Sequence, residues 1–114
     1  MLQHNTMLQR EHKRIELPKT IVFNPHNACD LVNICKGGLS FKSLNWVVWP
    51  DKWSLNIITM KREMDIEHCP VELVWMKTDG YLTNTSILVE YVGIKFGNLD
   101  KSQREKLDYL LSEH

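Results

Sequence analysis

The chain has 114 residues, with 14 Lys plus Arg balanced by 14 Asp plus Glu, and 43% of it is hydrophobic. That length holds one domain, and the apolar share is too high for a disordered chain. A formal net charge of zero excludes a generally polybasic surface that would hold nucleic acid through its backbone.

From the start of the chain, residues 1–9 read as a flexible N-terminal segment and residues 10–114 as a single domain. Met1 to Arg10 contain no apolar run, so no secretory signal is expected. Basic residues then cluster in Gln9-Arg10-Glu11-His12-Lys13-Arg14, where Arg10 and Arg14 are spaced RxxxR. Two guanidiniums a few residues apart can donate fork-like hydrogen bonds to phosphate oxygens or a guanine edge. By itself the spacing is equally that of a solvated arm.

Short segments of period two follow. Residues 21–23, 29–35 and 39–42 are strand candidates, separated by the turns Asn24-Pro25-His26-Asn27 and Gly37-Gly38. After Trp49-Pro50-Asp51-Lys52, Trp53, Leu55 and Ile57 alternate with Ser54, Asn56 and Ile58. Val71, Leu73 and Trp75 alternate with Glu72, Val74 and Met76 in the same way, and Asp79-Gly80 reads as the next turn. The last such segment sets Val92, Ile94 and Phe96 against Gly93 and Lys95. About six strands at short intervals favour an antiparallel β-barrel over an open sheet, because closure removes unpaired edges. A single helix is expected at the end. Asp100 is a good N-cap with Gln103 three residues on, and Leu107, Leu110 and Leu111 share one face.

The zero net charge conceals an uneven distribution. Residues 1–20 carry +2, residues 36–62 carry +4, and residues 63–90 carry −5. Opposite charges are expected to pair across neighbouring strands, and a local basic site for a small anion remains possible in a neutral chain. The longest apolar run, Trp46 to Trp49, spans four residues, against roughly 20 for a bilayer-crossing helix, so no membrane insertion is expected. Cys29, Cys35 and Cys69 are too few and odd in number for a disulfide framework. They read as reduced thiols of a cytoplasmic protein.

No catalytic or metal signature stands out. His26, Cys29, Cys35, His68 and Cys69 lack the spacing of zinc ligands, and no GxSxG is present. The chain is therefore read as a non-enzyme without a cofactor. The more specific feature is Asn33-Ile34-Cys35-Lys36-Gly37-Gly38, which runs from a strand end into a glycine turn. Asn33 offers a donor and an acceptor to a planar base, and Ile34 is expected to face the core. Gly38 removes a side chain where a ligand or another backbone comes close.

RxxxR, eighteen residues and then an NxCxxG stretch resembles the signature of PilZ domains, bacterial receptors for cyclic di-GMP, whose second motif is (D/N)xSxxG. Tyr91-Val92-Gly93-Ile94-Lys95-Phe96, Leu99 and the terminal helix resemble the family's last strand and helix. The likeness covers roughly residues 8–113. It implies a mainly β fold, a six-stranded antiparallel barrel of split-barrel type with a C-terminal helix. It also implies an arm whose Arg10 and Arg14 grip cyclic di-GMP, with Asn33 on a guanine and Gly38 closing the motif. Cys35 stands where the family has serine, and a thiol is a weaker donor than a hydroxyl. The resemblance points to a stand-alone receptor, monomer or weak dimer, whose ligand-ordered arm signals to a protein effector. The alternative is a PilZ-like interaction module that binds no nucleotide, supported by Cys35 and by Trp46, Trp49 and Trp53. A small barrel holding single-stranded nucleic acid on those aromatics is a more distant reading, disfavoured by the zero net charge.

Overall fold

The computed structural model describes residues 14–25, 27–44, 47–60 and 63–112. Its elements are β1 (Thr20–Asn24), β2 (Asn27–Ile34), β3 (Gly38–Leu44), β4 (Lys52–Thr59), β5 (Met64–Tyr81), β6 (Leu88–Phe96) and α1 (Lys101–Ser112). The strands close into an antiparallel barrel in the order β1-β2-β3-β6-β5-β4, with β4 returning to β1. The expected fold class is the observed one.

Period-two alternation explains most of the barrel. Val22 on β1, Leu39 and Phe41 on β3, Leu55 and Ile57 on β4, and Val92 and Ile94 on β6 are all buried. Ile34 is fully buried, as its expected inward orientation requires. Burying a side chain of this kind contributes about 1.5–3 kcal/mol, and the closed barrel gathers them into one core.

The helix enters as its capping residues dictate. The Asp100 N–H donates to Gln103 Oε1 at 2.8 Å and the Gln103 N–H donates to Asp100 Oδ1 at 2.7 Å, a reciprocal capping box. Gln103 Nε2 also donates to the carbonyls of Glu67 and His68, which anchors the start of α1 on β5. Leu107 and Leu110 are buried in the barrel's core cluster.

β5 departs from expectation. It begins seven residues before the expected segment and runs through Asp79-Gly80, which is not a turn. Pro70 and the left-handed backbone of His68 (φ 57°) disguise its first half. The register slips between Leu55 and Ile57 on β4, so Ile66 and Cys69 both reach the core although three positions apart. The expected alternation of Val71, Leu73 and Trp75 also fails at its last member: Val74 is one residue too many against β6, so Trp75 leaves the face of Val71 and Leu73 and its ring lies over Gly93. Near the other end, Gly80 (φ 92°) lies in a second irregularity against β6, between Thr78 and Tyr81. The connection to β6 instead spans residues 82–87, where the Leu82 N–H donates to the Ile87 carbonyl at 2.8 Å.

Cross-strand charge pairing occurs where the register demands it. Glu72 lies opposite Lys52 on one side and Lys95 on the other, with contacts of 3.6 and 2.9 Å. The hydrogen bond from Lys95 and its charge hold the Glu72 carboxyl below its ordinary value. At one barrel end, Trp49 packs edge-on to Phe41 at 5.2 Å and against Trp53 at 5.3 Å. The Trp53 indole N–H donates to Asn24 Oδ1 at 2.8 Å. Trp46 lies outside the described residues.

All three thiols are free and buried. Burial pushes Cys29 up to about 11 and Cys69 up to about 12, from an ordinary value of 9.0. An acid whose value rises on folding binds its proton more tightly in the native state. Its contribution is intact below about pH 9 and is lost as the pH climbs through 11 to 12. Stability measured by urea unfolding should therefore fall progressively above about pH 9. Cys29→Ala and Cys69→Ala together should flatten that decline, and an unchanged slope in the double variant would assign it to other groups.

Candidate ligand site

The site is built around the C-terminal end of β2. Beyond β1 towards the N-terminus, the chain is held on β2 a second time by Ile15 and Ile34, which exchange two backbone hydrogen bonds of 2.8 Å each. This clamp places Arg14 beside the strand end. Arg14 Nη1 donates to Asn33 Oδ1 at 2.8 Å, joining one arginine of the first motif to the first residue of the second.

Asn33 reaches that position because of a bulge. Leu31 lies opposite Phe41, yet Asn33 lies opposite Ser40, so Val32 is one residue too many. Phe41 faces the core, and Ser40, its neighbour on the opposite face of the strand, is covered there and only 3% exposed. Without the extra residue, Asn33 would follow Leu31 onto the inward face; with it, Asn33 shares the outer face of Ser40. Ser40 Oγ donates to Asn33 Oδ1 at 3.0 Å. One amide oxygen thus accepts from both Arg14 and Ser40, which orients the amide. Among the described residues no hydrogen bond occupies Asn33 Nδ2, so its two hydrogens remain for an incoming acceptor.

Ser40 was not among the expected site residues. Its signal, a hydroxyl residue on the strand directly after the glycine turn, is too common to read without the register.

The remaining expected site residues differ in placement. Arg10 lies outside the described residues. Cys35 follows the last residue of β2, and its N–H closes the turn on the Gly38 carbonyl at 2.8 Å. Cys35 is itself buried, at 6% exposure, so the thiol at the motif's serine position is turned away from solvent. Gly38 begins β3 opposite Lys95. A Cβ there would run into the Ile94 carbonyl oxygen and come within 2.9 Å of Lys95 Cα. The close approach that calls for glycine is therefore made by the backbone of β6. Gly37 also belongs to this contact, since the Phe96 N–H donates to its carbonyl at 2.9 Å.

Chemically, the cluster presents a guanidinium, an oriented amide and a backbone turn on one outer face. Such a set suits a planar, anionic ligand with hydrogen-bonding edges better than it suits bond-making chemistry. Among the described residues no three His, Cys, Asp or Glu side chains gather where they could hold a metal ion. Nor is any described helix long and apolar enough to cross a membrane.

No protein-family model and no curated protein matches the sequence. Solved structures do match the fold. The MrkH–cyclic di-GMP complex of K. pneumonia superposes with a TM-score of 0.72 at 10% identity, over 91% of this chain and 51% of that one. The PilZ domain of Escherichia coli YcgR with cyclic di-GMP gives 0.62 at 14% identity, over 92% and 90%. The Borreliella burgdorferi PlzA protein in complex with cyclic di-GMP gives 0.53 at 11% identity, over 98% and 48%. This chain thus spans about half the length of MrkH and nearly all of the YcgR domain. A six-stranded closed barrel, a C-terminal helix and these three superpositions establish that the chain has a PilZ-like fold.

Proposed function

We propose that this domain is a cyclic di-GMP receptor that signals to a protein partner. The observation that carries the reading is the hydrogen-bonded set Arg14–Asn33–Ser40, which joins residues of both motifs on one outer face. In this reading Arg10 and Arg14 hold the phosphates and a guanine of the ligand, and Asn33 Nδ2 donates to a guanine acceptor. Cys35 and Gly38 shape the turn beneath. The bound dianion supplies charge-assisted partners for both guanidiniums, so binding changes the surface that the arm and the strand end offer to an effector. The presence of cyclic di-GMP in the MrkH, YcgR and PlzA structures supports the choice of ligand.

Isothermal titration of the full chain with cyclic di-GMP tests this. Saturable heat at micromolar concentration is the expected result. No heat at high micromolar concentration, from protein whose circular dichroism shows the folded barrel, would sink the proposal.

The buried Cys35 favours a second reading, an interaction module that has lost nucleotide binding. The Cys35→Ser variant separates the two. If the position serves the ligand, restoring a hydroxyl adds one hydrogen bond of about 0.5–1.5 kcal/mol and tightens binding by roughly threefold to tenfold. If neither protein nor variant binds, the module reading stands.

A further inference from the structure

β5 outlasts the barrel. Its pairing with β4 ends at Glu72, opposite Lys52, while its pairing with β6 continues to Tyr81 opposite Leu88. From Val74 to Tyr81 one edge of β5 has no partner strand among the described residues. That stretch is unusually apolar for an open edge: Val74 is 56% exposed, Met76 44% and Tyr81 68%. An exposed edge presents a row of unpaired N–H and C=O groups and is a template for another strand. We propose that it pairs with the same edge of a second copy of this chain, antiparallel, about a two-fold axis through Thr78.

The charges choose both the occupant and the register. Residues directly opposite in an antiparallel sheet share a face, so a two-fold axis normal to the sheet must pass through a residue. An axis at Lys77 sets Lys77 against Lys77, and one at Asp79 sets Asp79 against Asp79; both are repulsive. An axis at Met76 puts Lys77 across from Trp75 and leaves Asp79 without a cation. An axis at Thr78 alone matches every charge, because Lys77 of each copy meets Asp79 of the other. Thr78 then faces Thr78. Gly80, the residue of positive φ in the irregularity between Thr78 and Tyr81, is skipped as a bulge. That brings Met76 opposite Tyr81, a favourable sulfur–aromatic contact. Opposite charges, paired threonines and apolar pairs are the cross-strand combinations that stabilise sheets. Trp75 takes no part, since its ring covers Gly93 on the outer face.

Sedimentation equilibrium without nucleotide is expected to show a monomer–dimer equilibrium. Lys77→Asp places like charges at both symmetry-related pairs and should weaken association at least about tenfold. Lys77→Asp combined with Asp79→Lys should restore it. All these side chains are exposed, and circular dichroism confirms the fold of each variant. The register is read separately by cross-linking. Thr78→Cys brings two thiols to adjacent positions and should oxidise to a covalent dimer, the three native cysteines being buried. Met76→Cys, with its copies about 13 Å apart along the paired strands, should not. A monomer at every concentration, a double swap that fails to restore association, or faster cross-linking through Met76→Cys would each overturn the proposal. The first of these outcomes would leave the edge to a strand from a different protein.

Discussion

Arg14→Ala is expected to weaken cyclic di-GMP binding by about 10- to 150-fold while leaving the barrel folded. The magnitude follows from charge-assisted hydrogen bonds, worth about 1.5–3 kcal/mol each, with every 1.4 kcal/mol a factor of ten. The small effect on stability follows from the geometry. Arg14 donates to Asn33 Oδ1, but that oxygen also accepts from Ser40 Oγ at 3.0 Å. Removing the guanidinium therefore orphans no acceptor, and the loss is that of one hydrogen bond, about 1 kcal/mol. Arg14→Lys should recover only part of the affinity, because an ammonium keeps the charge without the planar fork. Titration calorimetry and thermal melting on the same samples separate the two effects. Equal affinities in the parent and Arg14→Ala would remove Arg14 from the ligand site.

Gly38→Ala should destabilise the domain by about 2–3 kcal/mol or prevent its folding. The atoms that a Cβ would meet belong to the backbone of β6, the Ile94 carbonyl oxygen and Lys95 Cα. A flexible side chain could swing aside; a strand hydrogen-bonded on both edges in a closed barrel cannot without disturbing its neighbours. Gly97→Ala is the control, since its Cβ would meet nothing nearer than Pro70 at 3.4 Å. Urea midpoints should therefore drop sharply for the first variant and little for the second. Similar midpoints would show that β6 yields easily. Gly38 belongs to the glycine motif of the proposed ligand site, so lost binding in Gly38→Ala reports the fold unless it is measured where the variant remains folded.

Much of the barrel was legible because strand burial is a local, period-two property. Leu55 and Ile57, or Val92 and Ile94, need no knowledge of their neighbours to be placed inside. The Asp100–Gln103 box was legible for a similar reason, since its two hydrogen bonds lie within four residues. β5 was read poorly. Its alternation is broken at His68, at Val74 and again near Gly80, and an extra residue in a strand has meaning only against the partner that lacks it. Asp79-Gly80 has the composition of a turn, yet continued pairing with β6 keeps both residues in the strand.

The candidate site divides along the same line. From sequence alone came the RxxxR and NxCxxG stretches, the likeness to PilZ domains, the inward Ile34 and the basic arm within a neutral chain. Tertiary structure alone decided that Asn33 faces outward, because that depends on the bulge at Val32 opposite β3. It also decided that Arg14 reaches Asn33 across eighteen intervening residues, since the Ile15–Ile34 clamp sets that distance. The role of Gly38 changed most, from a gap expected to admit a ligand or a backbone to a contact with β6. Residue types and spacings state which hydrogen bonds and close approaches are available. Which of them form depends on what the closed barrel sets across from each residue.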